Sequence, residues 1–453
     1  MIYLDHAAAT PVSDKALQAM LPYFAEQFFN PSAPYLPAKR VREAYEAAKD
    51  TIAHTIGAKG VDLVMTAGAT ESINLAFTVA QGKVLTLATE HAAVLETAKQ
   101  YNCTLIKVDK NGLIDLADLR KKLTNEVDFI SISLANNELG TIQPLAEIAE
   151  IIRTERQKRL QAHNSTPLYF HSDASQALNL LDINVARLGV DLLTINAAKC
   201  GGPKGVGALY VAHGVKLAPI NTGGGQERGL RSGTENVPGV IGFATAATEA
   251  KAHLAGNRKR YQKMTQILRQ ELAKINQNQC PHTSIVSHND EKVNRKNESF
   301  SDCCLRRSRE KASLSSTRYP QQDKSFSQES CCLHPSHEKV GLLPQQDNSL
   351  VRFLGQTKHQ LANFCPVCFP GIDAERLIYR LESRGVLVST GAACAANKGS
   401  KSHVLAAIGL TDEEIAGSIR ISLGSTNTLE DIQEAAQIIR EEVEREYERI
   451  HRG

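Results

Sequence analysis

Four short stretches hold side chains able to act on a substrate, and each follows a short apolar run. In "INAAKCGGPKG", Lys199 follows "VDLLTI" and precedes a glycine-rich turn. A lysine amine freed of its proton by burial is a nucleophile that can condense with an aldehyde. Asp173 and Gln176, in "HSDASQ", follow "PLYF", and His91, in "ATEHAAVLE", follows "KVLTL". In "TAGATESINLA", a turn of small residues after "VDLVM" opens a helix. The N–H groups at such a start, with the Thr70 hydroxyl, can hold a phosphate. Singly, each stretch has an ordinary reading: a cap, a structural histidine, a strand-to-helix turn, a solvated lysine.

Together they make an amine, a carboxylate and a phosphate cradle, which is what pyridoxal 5'-phosphate requires. The amine can bind the aldehyde, the carboxylate can keep the ring nitrogen protonated, and the cradle can anchor the phosphate. The elements that must position them alternate. "VDLVMTA", "KVLTLAT", "TLIKVD", "VDFISISL", "PLYFHSD", "VDLLTINA" and "GALYVA" are apolar or β-branched runs. Helical patterns such as "PAKRVREAYEAAKDTIAHTIG" and "PLAEIAEIIRTERQKRLQ" separate them. This predicts an α/β fold with a mostly parallel sheet covered on both faces. All four stretches then lie at carboxyl ends of strands, where such sheets bind ligands.

The large cofactor-binding domain is expected over 15–250. A smaller α/β domain is expected over 251–453 together with 1–14. Within it, Thr428 and Asp431 resemble a capping box, and Ile432, Ala435, Ala436 and Ile439 make the apolar stripe of a final helix. Between them, over 289–357, "SFS", "CCL", "EK" and "PQQD" recur in order within a serine-, glutamine- and charge-rich segment. The duplication has no amphipathic period and predicts a disordered insertion. Its pairs Cys303/Cys304 and Cys331/Cys332 lack metal-ligand spacing, and Cys365 and Cys368 in "ANFCPVCFPG" are expected to pack in a core, so no metal site is expected.

The chain has 453 residues with a net charge of +3, which argues against direct nucleic-acid or membrane partners. No apolar run is long enough to span a bilayer, and "MIYLDHAAATPV" lacks the pattern of a signal peptide. A cytoplasmic protein with its ten cysteines reduced is expected.

The series "YLDHAAATPV", "GATESINLA", "EHAAVL", "NNELGTIQP", "HSDASQ", "GPKGVGALY", "GGGQERGLRSGTENV", "STGAAC" and "SIRISLG" resembles, in order, the signatures of the class V aminotransferase-like family, and in particular of the cysteine desulfurases. The resemblance implies pyridoxal-phosphate-dependent aminotransferase fold type I. It implies removal of sulfur from L-cysteine to give alanine and an enzyme persulfide. It also implies a homodimer that supplies a sulfur-acceptor protein, either an iron–sulfur scaffold or a tRNA-thiolation enzyme. On the same basis Lys199 would carry the cofactor, Asp173 would pair with its ring nitrogen, and His91 would stack on the ring and move a proton. Gln176 and Asn137 would lie near the ring's phenolic oxygen, with Asn137 also near substrate. Ala69 and Thr70 would hold the phosphate, and Thr234 would reach it across the dimer interface. Arg420 would clamp the substrate carboxylate, and Cys394, in a loop-forming stretch of small and polar residues, would receive the sulfur.

The chain departs from the family where a serine and a histidine usually precede the lysine. Asn196, Ala197 and Ala198 stand there instead, and only Asn196 retains a polar group for the phosphate. A selenocysteine lyase or aminotransferase relative that does not use Cys394, and a degenerate sulfur-transfer scaffold, are the competing readings. Retention of Lys199, Asp173, His91, Arg420 and Cys394 together weighs against the scaffold.

Overall fold

The computed structural model describes residues 1–276, 349–391 and 401–452. The seven runs read as strands form one sheet: β2 (Leu63–Thr66), β3 (Lys83–Leu87), β4 (Asn102–Ile106), β5 (Val127–Ser131), β6 (Tyr169–Asp173), β7 (Leu192–Asn196) and β8 (Gly207–Val211). A two-residue β1 (Ile2–Tyr3) precedes them. The strand order is β2-β8-β7-β6-β5-β3-β4. Pairing is parallel from β4 through to β7, and β8 alone runs against both of its neighbours. The chain order reverses between β3 and β5, the switch point at which open α/β sheets form a crevice.

The inner strands read as mostly apolar runs because both faces of the sheet are covered there, whereas the edge strand β4 leaves Asn102 and Leu105 exposed. Adjacent residues point to opposite layers. Leu85, Ile130, Leu193 and Ile195 enter one core with Tyr45, Ile52 and Phe243. Val84, Phe129, Leu192 and Leu209 enter the other with Ile73 and Phe77. Phe77 and Phe129 meet edge to face at 4.9 Å.

A third core is built by the C-terminal part. Strands β9 (Arg352–Phe353), β10 (Phe364–Cys368) and β12 (Ser418–Ser422) form an antiparallel sheet, and β11 (Val386–Leu387) pairs in parallel with β1. The first residues of the chain thus belong with its last third. Leu268, Phe364, Leu377, Ile421 and Ile439 fill this core. The helix Val237–Ala273 serves both halves. Its buried residues through Ala250 pack in the first core, and those from Tyr261 pack in the third. The division expected after residue 250 falls inside this one helix, where its buried face changes cores.

The final helix, Leu429–Arg452, begins as its sequence indicates: Thr428 N–H donates to Asp431 at 2.8 Å, and Asp431 N–H donates to Thr428 at 3.1 Å. Cys365 and Cys368 are fully buried on β10, as core packing requires. Burial pushes both thiols up to about 11. The duplicated segment and its paired cysteines lie mostly outside the described residues, but its expected end at 357 needs correction. Residues 349–357 carry β9, Phe353 pairs with Val367, and Val351 and Leu354 are buried. A two-residue strand is too short to show a period in sequence, so pairing with β10 alone defines it.

Two deletions separate the insertion from this edge. Removing 289–348 is expected to leave unfolding stability within about 1 kcal/mol of the full chain. Removing 289–357 takes away Val351, Leu354 and β9, and is expected to cost about 3–5 kcal/mol from lost aliphatic burial. Denaturant unfolding of the three proteins checks this; equal stability of the two deletions would contradict the assignment of β9.

Candidate active site

The crevice at the switch point opens into a cleft of about 960 Å³. Lys199, Asp173, His91, Gln176, Asn137, Asn196, Ala69, Thr70 and Arg420 all line it. Strand ends explain most of this. β3, β5, β6 and β7 are parallel, so the residues after Leu87, Ser131, Asp173 and Asn196 emerge on one edge. β2 is antiparallel to β8, and β8 to β7, which brings the turn after Thr66 to the same edge.

That turn is shaped for an anion. Gly68 has φ 148°, a conformation side chains resist, with open space around its would-be Cβ. Gly207 is needed for a different reason: a Cβ there would lie 2.8 Å from the Gly68 backbone. The helix Ala69–Phe77 closes its first turn with Ser72 N–H to Gly68 at 3.1 Å. The N–H groups of Ala69, Thr70 and Glu71 have no acceptor among the described residues, which fits a phosphate.

Lys199 ends the 3-10 turn Ala197–Lys199. Its Nζ donates to the carbonyl of Ala7 at 2.9 Å and to that of Ala8. Gln176 Nε2 donates to the same Ala7 carbonyl at 2.9 Å. Thr10 packs the segment against the lysine turn, through Thr10 N–H to Ala198 at 3.1 Å and Gly201 N–H to Thr10 at 2.9 Å. Asn196 spends its side-chain oxygen on its own turn, accepting from Ala198 N–H at 3.1 Å, and Ala198 offers the cleft only a methyl group. An anion at this end of the cleft would therefore depend on the helix start.

Asp173 is 8% exposed. One carboxylate oxygen accepts from Ser175 N–H at 2.9 Å and from the Ser175 hydroxyl at 2.5 Å. His91 caps the helix Ala92–Ala98, with Nδ1 accepting from Ala93 N–H at 3.0 Å, so the neutral ring carries its proton on Nε2. Burial lowers the His91 pKa; Asp173 opposes this, while Lys199 and His403 reinforce it. A neutral ring results, suited to lie against an aromatic cofactor.

Arg420, on β12, enters from the side of the third core. Its Nη1 donates to the carbonyls of Asn137 at 2.9 Å and Gly391 at 2.5 Å, and its Nη2 donates to Asp5 at 2.6 Å. Its Nε is buried without a partner among the described residues. A guanidinium so fixed can meet a carboxylate. Thr234 is not brought into the cleft by this chain. It lines a neighbouring cavity of about 130 Å³ with Tyr45, Glu227 and Arg231. Cys394 lies outside the described residues. Cys200, next to Lys199, is buried, and burial pushes its thiol up to about 12, which leaves it inert.

Sequence reasoning missed Asp5, Glu90, Glu138 and His403. Asp5 and His403 come together with the cleft only through contacts between distant parts of the chain. Glu90 precedes His91 and points the other way. It is wholly buried, with one oxygen accepting from Ser133 N–H at 2.8 Å and the other unpartnered among the described residues. Burial, with Asp173 adding, pushes its carboxyl up to about 8; the Ser133 bond opposes this.

The sequence pattern of the family Aminotransferase class-V matches residues 2–299 and 342–434. The cysteine desulfurase IscS of Methanosarcina thermophila is 33% identical over 98% of this chain and 92% of its own length. The solved structure of a NifS-like protein superimposes with a TM-score of 0.75 at 27% identity, covering 97% of this chain and 98% of that one. A structure described as SspA in complex with cysteine gives 0.67 at 26% identity, covering 93% and 99%. The chain belongs to the class-V aminotransferase family.

Glu90 supplies a test of the cleft's electrostatics. Its folded pKa lies above its ordinary value near 4.5, so its stability contribution is full below that value and is lost as pH rises towards about 8. Glu90→Gln cannot ionise. The stability difference between Glu90→Gln and the parent is expected to shift in the variant's favour between pH 5 and pH 8, measured by denaturant unfolding. Parallel pH profiles would show that Glu90 is not held neutral.

Proposed function

We propose that this member of the class-V aminotransferase family is a pyridoxal-phosphate-dependent cysteine desulfurase, forming alanine from L-cysteine and leaving a persulfide on Cys394. The observation that carries the reading is the convergence of Lys199, Asp173, His91 and Arg420 on one cleft, beside a row of helix N–H donors that have no acceptor among the described residues. Full-length similarity to cysteine desulfurases supports it.

The residues present fit the cofactor. Ala69 and Thr70 would hold its phosphate, Asp173 its ring nitrogen and Lys199 its aldehyde carbon. His91, Gln176, Asn137 and Asn196 would flank it. Bound there, pyridoxal phosphate would supply an electron-withdrawing ring able to take up charge developing on the substrate. The chain's own residues do the rest. Arg420 binds the substrate carboxylate, held in orientation by Asp5 and the Asn137 and Gly391 carbonyls. Lys199 and His91 move protons. Asp173 keeps its carboxylate directed by Ser175.

Sulfur transfer requires a thiolate that can reach the cleft and leave it again. Cys200 is disqualified by burial. Cys365 and Cys368 are core residues. Cys394 follows Gly391, whose carbonyl touches Arg420, by only three residues. We assign it the sulfur-accepting role, with Thr234 serving the site of a partner subunit in a homodimer. Delivery to a sulfur-acceptor protein in the cytoplasm completes the reading. No helix among the described residues is long and apolar enough to cross a membrane.

Two variants test the division of labour. Lys199→Ala is expected to lose the cofactor's visible absorption, its borohydride-trapped adduct and all alanine formation. Cys394→Ser is expected to keep the absorption and its response to L-cysteine, but to form neither persulfide nor alanine, as followed by mass spectrometry. A trapped adduct in Lys199→Ala, or normal alanine production by Cys394→Ser, would overturn the respective assignment.

A further inference from the structure

The turn that would hold the cofactor's phosphate carries a carboxylate of its own. Glu71 is the third residue of the helix Ala69–Phe77 and lines the cleft beside Ala69 and Thr70. Its Oε2 accepts from Ala67 N–H at 2.7 Å, the reach-back that an acid at this helical position makes. Gly68, the cap residue between them, has no side chain to do this. Fixing Ala67 fixes the turn from which the N–H groups of Ala69 and Thr70 project, both without an acceptor among the described residues. A full negative charge at this place nevertheless opposes any anion that the same turn would bind.

Arg231 meets that charge. Its Nε donates to Glu71 Oε1 at 2.8 Å, and Asn221 Nδ2 donates to the same oxygen at 3.1 Å. Both donors belong to one loop, closed by the bridge between Asn221 and Arg231 and by Ser232 N–H to the Asn221 carbonyl at 3.0 Å. The loop is also held independently of Glu71. Glu227, buried within it, accepts from the Tyr45 hydroxyl at 2.5 Å, from Lys49 Nζ at 3.0 Å and from Met65 N–H at 2.9 Å. Glu227 and Arg228 take left-handed backbone, with φ 47° and 61°, a conformation that side chains resist and that these bonds hold. Two carboxylates thus take the alternate N–H groups of Met65 and Ala67, on the segment running into the turn, and the loop is fastened through both.

The Arg231 and Glu71 side chains are 24% and 15% exposed, and a pair this accessible adds little to stability. Its place in the molecule matters more. Arg231 lines the small cavity that shares Ala67 and Gly205 with the cleft. Ala198 offers the cleft only a methyl group and Asn196 is turned to its own backbone, so the charge balance at the helix start weighs more heavily. We propose that Arg231 is a positioning residue of the anion site. It cancels the charge of Glu71 and keeps that carboxylate on Ala67 N–H, so that the turn accepts a phosphomonoester such as pyridoxal phosphate.

This inference rests on the pyridoxal-phosphate part of the reading above. Pyridoxal, the same ring without the phosphate, separates an effect on the anion from an effect on the fold. The full-length protein, freed of cofactor, is titrated with each aldehyde and followed by the visible absorption of the bound ring. Arg231→Gln retains a donor for Glu71 but not the charge. Its Kd for pyridoxal phosphate is expected to rise about tenfold, and its Kd for pyridoxal to stay within about twofold of the parent. Arg231→Lys keeps a positive charge, and the double variant Arg231→Gln/Glu71→Gln has neither charge. Both are expected to stay within about threefold of the parent for both aldehydes. An unchanged Kd for pyridoxal phosphate in Arg231→Gln would overturn the proposal. So would equal losses for the two aldehydes, or a double variant no better than Arg231→Gln. A parent protein that binds pyridoxal phosphate but makes no alanine from L-cysteine would refute the desulfurase reading and leave this inference standing. A parent that binds neither aldehyde would overturn both.

Discussion

The amine of Lys199 rests on the carbonyls of Ala7 and Ala8, and the cleft is organised around that contact. The same Ala7 carbonyl receives Gln176, and two residues earlier Asp5 receives Arg420. Thr10 closes on the turn that carries Lys199. A stretch of six residues therefore ties the amine expected to hold the cofactor to the guanidinium expected to hold the substrate. It can do so because its other end is anchored elsewhere: β1 pairs with β11, and Asp5 bridges to Ser422, the last residue of β12. The two sides of the cleft belong to different cores, and this strap fixes their spacing at the point where chemistry would occur.

Charge is managed by burial on one side of the cleft and by backbone dipoles on the other. Three carboxyl groups, Asp173, Glu90 and Glu138, sit close to two histidines and Arg420. Keeping them all ionised in a partly closed cleft would be costly. Burial raises Glu90 and Glu138 and lowers His91, which moves these groups towards neutrality. A negatively charged group would be met instead by the N–H groups at the start of the helix Ala69–Phe77, which have no acceptor among the described residues. Asn196 and Ala198 add little to that end, one being turned to its own backbone and the other lacking a polar group.

The strand and helix alternation was legible because the inner strands of the central sheet are buried on both faces and so read as apolar runs. The candidate residues at strand ends were legible for the same reason: a parallel sheet delivers its carboxyl ends to one edge. β9 was not legible, since two residues carry no period and its identity comes from pairing with β10. Thr234 was named only through the resemblance, and this chain places it beside a separate small cavity.

By itself the sequence determined which segments become strands, which turns follow them, and that an amine, a carboxylate, a histidine and a helix start would share one edge. These are local consequences of hydrophobic period, turn residues and chain direction. Only the tertiary structure decided how the side chains are held. Asp5 meets Arg420 across a separation of 415 residues, and His403 meets Glu90 across 313. Periodicity carries no information over such distances. Which ring nitrogen keeps its proton, and which carboxyl loses its charge, depends on the neighbours that packing brings and the water it removes.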